Sequence, residues 1–307
     1  MNATQLNSDP LSDLATTTAQ LVEADPQLFS EKFHARPFLI RHHLASHPLF
    51  TLPSLIALSK RLPEDHVEYN SGNLSVNQEY SMTPRSGLSI EETIRRIEEC
   101  SSWMVLKFVQ EDPLYGELLN RCLDEIRPYS ESIEPGMRQR EGYIFISSPL
   151  SVTPYHIDNE HNFLLQISGL KTVYQWDPWD RAVLPELELE RFYMGGHRNI
   201  PYKDEYAKRG YRFDLIPGLG LHFPVNCPHW IQNGPEVSVS FSITFRTPAS
   251  DRRALAYQAN AMLRRLGIGP TPVGRSQWRD YLKVQTLRAW RKGFSLVGLD
   301  SRAKTSR

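Results

Sequence analysis

The sequence predicts a mainly β protein with flanking helices, in which a barrel or sandwich of short strands is closed by a helical C-terminal element. Three observations carry that expectation. Between Gly142 and Phe245 the apolar residues fall in short runs punctuated by Gly and Pro, the pattern of an all-β sandwich or barrel. Upstream, segments of helical periodicity alternate with compact apolar runs. Downstream of Thr247 the apolar residues return to helical spacing. At 307 residues the chain is long enough for one large domain or two small ones with a sizeable core. The expected division is a disordered N-terminus over 1–10, an α/β region over 11–139 that flanks the barrel, a barrel core over 140–247 and a helical region over 248–307.

Taken in order, residues 1–10 are polar and start nothing periodic, and 11–22 reads as a short helix. Residues 37–41 form a compact apolar strand, 52–62 a helix whose Pro53 suits a first turn, and 66–69 another strand. Ser89 and Glu92 make a capping box that opens a helix to about Glu99, because the hydroxyl and the carboxylate satisfy N–H groups that a helix start leaves open. Residues 103–109 are strand-like. Asp112-Pro113 caps a helix through Ile126, with Leu114, Leu118, Cys122 and Ile126 on one stripe. Barrel strands are expected at 143–147, 153–158, 163–167, 171–176, 212–215, 220–223 and 237–245, with Ser168-Gly169 as a tight hairpin between two of them. The insertion over 179–211 is charged and too long for a barrel turn, and such loops often cover a site. Helices at 251–266 and 277–292 follow, separated by a Gly/Pro-rich breaker.

Composition excludes several classes. With 35 basic and 35 acidic residues the chain has no net charge, but 251–307 carries 13 Lys/Arg against three Asp, which leaves +10 there and −10 in the rest. Solvated helix faces account for this more simply than a nucleic-acid surface, so nucleic acid is not expected as a partner. Cys100, Cys122 and Cys227 are scattered, with neither a disulfide framework nor a CxxC pattern. The N-terminus lacks a signal-peptide pattern, and no apolar run approaches the roughly 20 residues of a membrane helix. The expectation is a cytoplasmic protein without a membrane segment.

The chemistry concentrates at Thr153-Pro-Tyr-His156-Ile-Asp158-Asn-Glu-His-Asn162 and at His229, 71 positions beyond Asp158. On an extended strand, residues two apart share a face, so His156 and Asp158 are expected to project together as an imidazole and a carboxylate. With His229 from a second strand the set is two His and one carboxylate with open coordination positions, the arrangement suited to non-haem Fe(II). From His156 the chain reads His-x-Asp, three residues, Asn162, six residues, Gly169. Towards His229 it reads Gly218, five residues, Pro224-x-Asn226, two residues, His229, three residues, Asn233.

Both stretches resemble the paired cupin motifs. Asp158 and Asn162 stand where a metal cupin usually has His and Glu, and Asn226 stands where Gly is usual, Asn being a non-Gly residue that tolerates a left-handed turn. Through Gly169-Leu-Lys171-Thr-Val-Tyr-Gln-Trp-Asp-Pro178 the segment 153–178 resembles the jumonji C (JmjC) family of 2-oxoglutarate oxygenases, especially its asparaginyl-hydroxylase-like branch. The resemblance implies a cupin-type double-stranded β-helix (jelly-roll) barrel, Fe(II) on His156, Asp158 and His229, and 2-oxoglutarate as co-substrate. It places Lys171 and Thr153 on the distal carboxylate, Asn162 beside the metal-bound end, and Tyr143 and Phe145 along the pocket. Ser240 or Ser242 stands where relatives have an Asn near the iron. His161 is not expected to be a ligand, since it falls on the opposite strand face.

The implied activity is hydroxylation of a C–H bond, on a protein or peptide side chain in preference to a small molecule; on an N-methyl group the same step ends in demethylation. Two other readings stand beside it. One is a metal cupin enzyme that uses no 2-oxo acid, told apart by whether succinate appears. The other is a regulatory module that binds through its basic C-terminal helices, told apart by salt-sensitive nucleic-acid binding. Relatives that dimerise through this helical region imply a homodimer through 251–292, where Leu255, Ala259, Met262, Leu263 and Leu266, then Trp278, Tyr281, Leu282, Leu287 and Trp290, supply apolar surface.

Overall fold

A computed structural model describes residues 19–79 and 87–296. The disordered stretch expected over 1–10 and all but the end of the helix expected over 11–22 lie outside the described residues. At that end the chain is a strand instead, β1 (Val22–Glu23). Helix α1 (Pro26–Lys32), β2 (Leu39–His42), α2 (Leu52–Ser59), β3 (Val67–Ser71), α3 (Ile90–Arg95), β4 (Ser102–Leu106) and α4 (Pro113–Glu131) follow. Each helix starts where its sequence carries a cap. Asp25, Thr51, Ser89 and Asp112 accept from N–H groups of the first turns, and the Ser89/Glu92 capping box forms in both directions. Helix α4 runs past the expected Ile126 to Glu131 and buries Leu118, Cys122 and Ile126, so packing carries it through Pro128.

The barrel comprises β5 (Arg138–Ser147), β6 (Val152–His156), β7 (His161–Ser168), β8 (Lys171–Gln175), β9 (Tyr211–Leu215), β10 (Leu219–Phe223), β11 (His229–Asn233) and β12 (Ser238–Arg246). Helix α5 (Glu186–Tyr193) lies in the insertion between β8 and β9, and α6 (Pro248–Arg265) and α7 (Gln277–Leu296) close the described chain. Among the described residues two antiparallel sheets form. The larger is ordered β1-β2-β10-β7-β12-β5-β4-β3, the smaller β6-β11-β8-β9. The eight strands from β5 onward thus visit the sheets in the order large, small, large, small, small, large, small, large, which winds the chain as two interleaved antiparallel halves. The fold is a cupin-type double-stranded β-helix. Strands β1 to β4 extend its larger sheet at both edges, so the N-terminal region frames the barrel.

Two expectations need correction. Ser168-Gly169 is not a hairpin: β7 lies in the large sheet and β8 in the small one, so the pair is the crossing between sheets. Gly169 suits that crossing with φ +70° and with its α-carbon packed so tightly that a Cβ would meet the Val237 carbonyl oxygen at 2.3 Å. The barrel strands read from apolar runs omit the second strand expected to carry His229: β11 starts at that residue, and His-Trp-Ile-Gln-Asn is short and has little apolar content of its own; pairing on both sides with β6 and β8 makes it a strand.

Three apolar clusters hold this frame. The largest packs α1, α2, α3 and α4 on the outer face of the large sheet, around Phe29, Leu55, Leu119, Phe163 and Phe241. The second covers the outer face of the small sheet with the insertion and α6, around Tyr155, Trp176, Leu189 and Tyr257. The third, Leu164, Val173, Leu215, Leu221, Phe223 and Ile231, fills part of the space between the sheets and leaves the rest open.

Candidate metal and co-substrate site

Register places the small sheet's inward residues in rows. His156 on β6 stands opposite His229 on β11, which stands opposite Gln175 on β8. The next row is Thr153, Ile231 and Val173, and the one after it holds Asn233 and Lys171. Between the first two rows β6 spends one residue more than β11, a bulge that lets Thr153 and His156, three apart, both face the interior.

Asp158 is not on the strand. Strand β6 ends at His156, so the same-face spacing expected of His156 and Asp158 is not what aligns them. The loop does it. The Asp158 carbonyl accepts from Asn226 N–H at 2.8 Å, and Ile157 N–H donates to the Arg198 carbonyl at 3.1 Å. Asn226 holds the left-handed conformation expected of it, φ +64°, with its side-chain oxygen accepting from Tyr193 OH at 2.6 Å.

Three donor atoms converge there. His156 Nε2 lies 3.5 Å and His229 Nε2 3.6 Å from Asp158 Oδ2, and among the described residues no other set of three such side chains gathers its ligand atoms as closely. Each imidazole has its Nδ1 on a backbone carbonyl, 2.7 Å from Pro154 O and 2.9 Å from Cys227 O. A carbonyl only accepts, so Nδ1 carries a proton in both rings, which leaves Nε2 as the nitrogen that a cation beside Asp158 would take. Burial, aided by neighbouring His156, pushes His229 down to about 3, so it stays neutral. Burial acts the other way on Asp158, but Arg198 and then the two histidines outweigh it and hold the carboxyl well below the usual range. A cluster of two imidazoles and one carboxylate fits a divalent cation.

The remaining expected residues divide into two groups. Tyr143, Phe145, Thr153 and His156 line one cavity of about 1010 Å³, together with Arg198 and Asn199 of the insertion. Tyr143 donates from its OH to Glu141 Oε2 at 2.7 Å. Lys171 and Asn162 are buried and are not among the residues that line this cavity. Lys171 is only 4% exposed; its Nζ donates to Ser240 Oγ at 2.6 Å and sits 5.9 Å from the Phe145 ring centroid. Burial alone pushes its ammonium down to about 7, with no carboxylate among the described residues near enough to offset it. Asn162 Oδ1 accepts from Ser242 Oγ at 2.7 Å, so Ser240 serves Lys171 and Ser242 serves Asn162. Lys171 arrives from the opposite sheet to Asn162, not from a neighbouring strand. His161 points away, 3.4 Å from Glu134 and stacked on Phe33, and the Cys227 thiol, raised by burial, donates to Trp176 O at 3.1 Å.

Sequence reasoning missed Arg198. Its Nη1 lies 2.9 Å from Asp158 Oδ1, the oxygen turned away from the histidines. Charge and length singled out the insertion as a cover for the site, but no periodicity marked one arginine within it.

No protein-family model and no curated protein matches the chain. Among solved structures it is similar to Escherichia coli ycfD, at 15% identity and TM-score 0.49 over 89% of this chain and 69% of that one. It is also similar to YcfD, described as a ribosomal oxygenase from Escherichia coli, in complex with cobalt and 2-oxoglutarate, at 14% identity and TM-score 0.47 over 92% and 68% of the two chains. A third similarity is to the same protein with cobalt and succinic acid, at 14% identity and TM-score 0.45 over 89% and 67%.

Proposed function

We propose that this protein is an Fe(II)- and 2-oxoglutarate-dependent oxygenase that hydroxylates a C–H bond on a protein or peptide side chain. The observation that carries the reading is Lys171: a buried cation with no anion beside it among the described residues, in the same interior as a two-histidine, one-carboxylate cluster. A lysine in that position is costly unless a carboxylate binds it. Lys171 lies four residues along β8 from the row of the histidines, about 13 Å of strand. A five-carbon dicarboxylate and the lysine's own length bridge such a gap, with the far carboxylate on Nζ and the Thr153 hydroxyl and the near end at the metal beside Asn162.

Bound iron would supply the oxygen chemistry, in which O2 and 2-oxoglutarate give succinate and CO2 while one oxygen atom converts C–H to C–OH. The chain's own residues do the rest. His156, Asp158 and His229 would hold the metal on one side; Phe145, Leu164 and Phe223 keep water from the interior. Tyr143 and Glu141 stand on the cavity wall where a substrate side chain enters. The cavity is at the upper end of small-ligand sites, which favours a peptide segment over a small molecule. The resemblance of segment 153–178 to the asparaginyl-hydroxylase-like branch is what supports hydroxylation over demethylation. Free Cys100, Cys122 and Cys227 accord with a reducing, cytoplasmic setting; among the described residues no helix is long and apolar enough to cross a membrane. The test is mass spectrometry of candidate peptides with iron, ascorbate and 2-oxoglutarate. A gain of one oxygen coupled to succinate supports the reading; 2-oxoglutarate that neither binds nor is consumed overturns it.

We also propose a homodimer through 251–292. Helix α6 spends Ala256, Tyr257 and Ala259 on its own molecule, whereas α7 buries Val284 and Leu287 and leaves Trp278 64%, Tyr281 60% and Trp290 47% exposed. In the full chain, Trp278→Glu with Leu282→Glu is expected to halve the mass measured by light scattering while the circular dichroism stays that of the folded protein. An unchanged mass would remove the dimer.

A further inference from the structure

The insertion does more than cover the cavity. Its segment 197–200 is strapped to the ligand strand by main-chain bonds: Ile157 N–H to the Arg198 carbonyl, 3.1 Å, and Ile200 N–H to the Tyr155 carbonyl, 3.2 Å, with His156 and Asn199 paired between them. Arg191 of α5 fixes the strap from outside, donating from Nη1 to the His197 carbonyl at 2.9 Å and from Nη2 to the Asn199 carbonyl at 3.0 Å. The strap thereby delivers Arg198 Nη1 to Asp158 Oδ1 at 2.9 Å, while Oδ2 faces both imidazoles. One carboxylate oxygen is turned to the metal cluster and the other is occupied by a guanidinium.

We propose that Arg198 is a positioning residue that holds Asp158 to single-oxygen ligation and so keeps a coordination position open. The inference rests on the proposed function. Carboxylates bind divalent cations through one oxygen or two. In a six-coordinate site, two histidines and one oxygen leave three positions, enough for a chelating 2-oxo acid and one diatomic molecule. A second Asp158 oxygen would take the last of them. Arg198 prevents this by engaging Oδ1 with a charge-assisted hydrogen bond, the geometry for which a guanidinium is better suited than an ammonium.

The test uses nitric oxide as a stand-in for O2 on the full-length protein loaded with Fe(II) and 2-oxoglutarate, read by electron paramagnetic resonance, beside Mn(II) affinity by calorimetry. Arg198→Met leaves the main-chain strap intact. It is expected to need about tenfold more nitric oxide for half the signal, from the loss of one charge-assisted contact. Mn(II) affinity should hold or tighten, because a positive charge next to the cation's ligand has gone. Arg198→Lys, which restores the charge without the fork, should recover part of the signal. A purely structural arginine would weaken metal, 2-oxoglutarate and nitric oxide together; that result, or an Arg198→Met signal equal to wild type, overturns the proposal. Failure of the wild-type protein to bind Fe(II) or 2-oxoglutarate would instead overturn the functional reading beneath it.

Discussion

His229→Ala is expected to abolish divalent-metal binding. The side chain is 3% exposed and supplies one of three donors, and its tautomer is already set by the Cys227 carbonyl, so wild type has no reorganisation to make when a cation arrives. With the ring gone, the cation keeps one imidazole and one carboxylate, and Asp158 keeps Arg198 as a competing partner. Affinity for Mn(II) or Co(II), by calorimetry or by the visible absorption of Co(II), should fall at least about a hundredfold, the scale of removing a ligand in place of an outer partner. His156→Ala should match it, since the two rings are related by register and make equivalent contacts. Each variant also loses buried packing, so its metal-free melting temperature is the control. Retained metal at full occupancy after His229→Ala would rule out the cluster as the metal site.

The second large effect concerns Lys171→Ala, which should weaken 2-oxoglutarate binding about tenfold to a hundredfold, the range for losing a hydrogen bond to a charged group. The pH dependence makes the assignment specific. In the ligand-free protein burial holds Lys171 at about 7, and a bound carboxylate favours the charged form. Binding therefore takes up a proton above that value. Affinity should be highest at or below pH 7 and decline as pH rises through and beyond it, and Lys171→Ala should lose this slope. Calorimetry in two buffers of different ionisation heat measures the proton uptake directly. The stability linkage has the opposite sense. An unfolded lysine still binds its proton between about 7 and 10 while the folded one does not, so the ligand-free protein gains stability as pH rises across that window. Equal affinity and equal pH slope in wild type and Lys171→Ala would assign the distal carboxylate to another cation.

What the sequence determined by itself was local or carried by spacing. Caps such as Ser89/Glu92 and Asp112-Pro113 were legible because a helix start requires particular side chains within three residues. Most barrel strands were legible from short apolar runs between Gly and Pro, and the left-handed Asn226 from its place in the motif. His156, Asp158 and His229 were legible as a candidate donor set from residue type and framing, and their ligand atoms do come together. Tertiary structure alone decided how they meet. Strand parity gave the wrong reason for Asp158, which leaves the strand and is placed by Asn226 and by the insertion. The hairpin at Ser168-Gly169 was misread because a positive-φ glycine serves a sheet crossing as readily as a tight turn, and only partners dozens of residues away distinguish the two. Strand β11 lacked a signal of its own, and the bulge that turns Thr153 inward exists only against it. Arg198 and the isolated burial of Lys171 belong to the same class: each is a property of what packs around a side chain, set by long-range register and loop placement that no local pattern encodes.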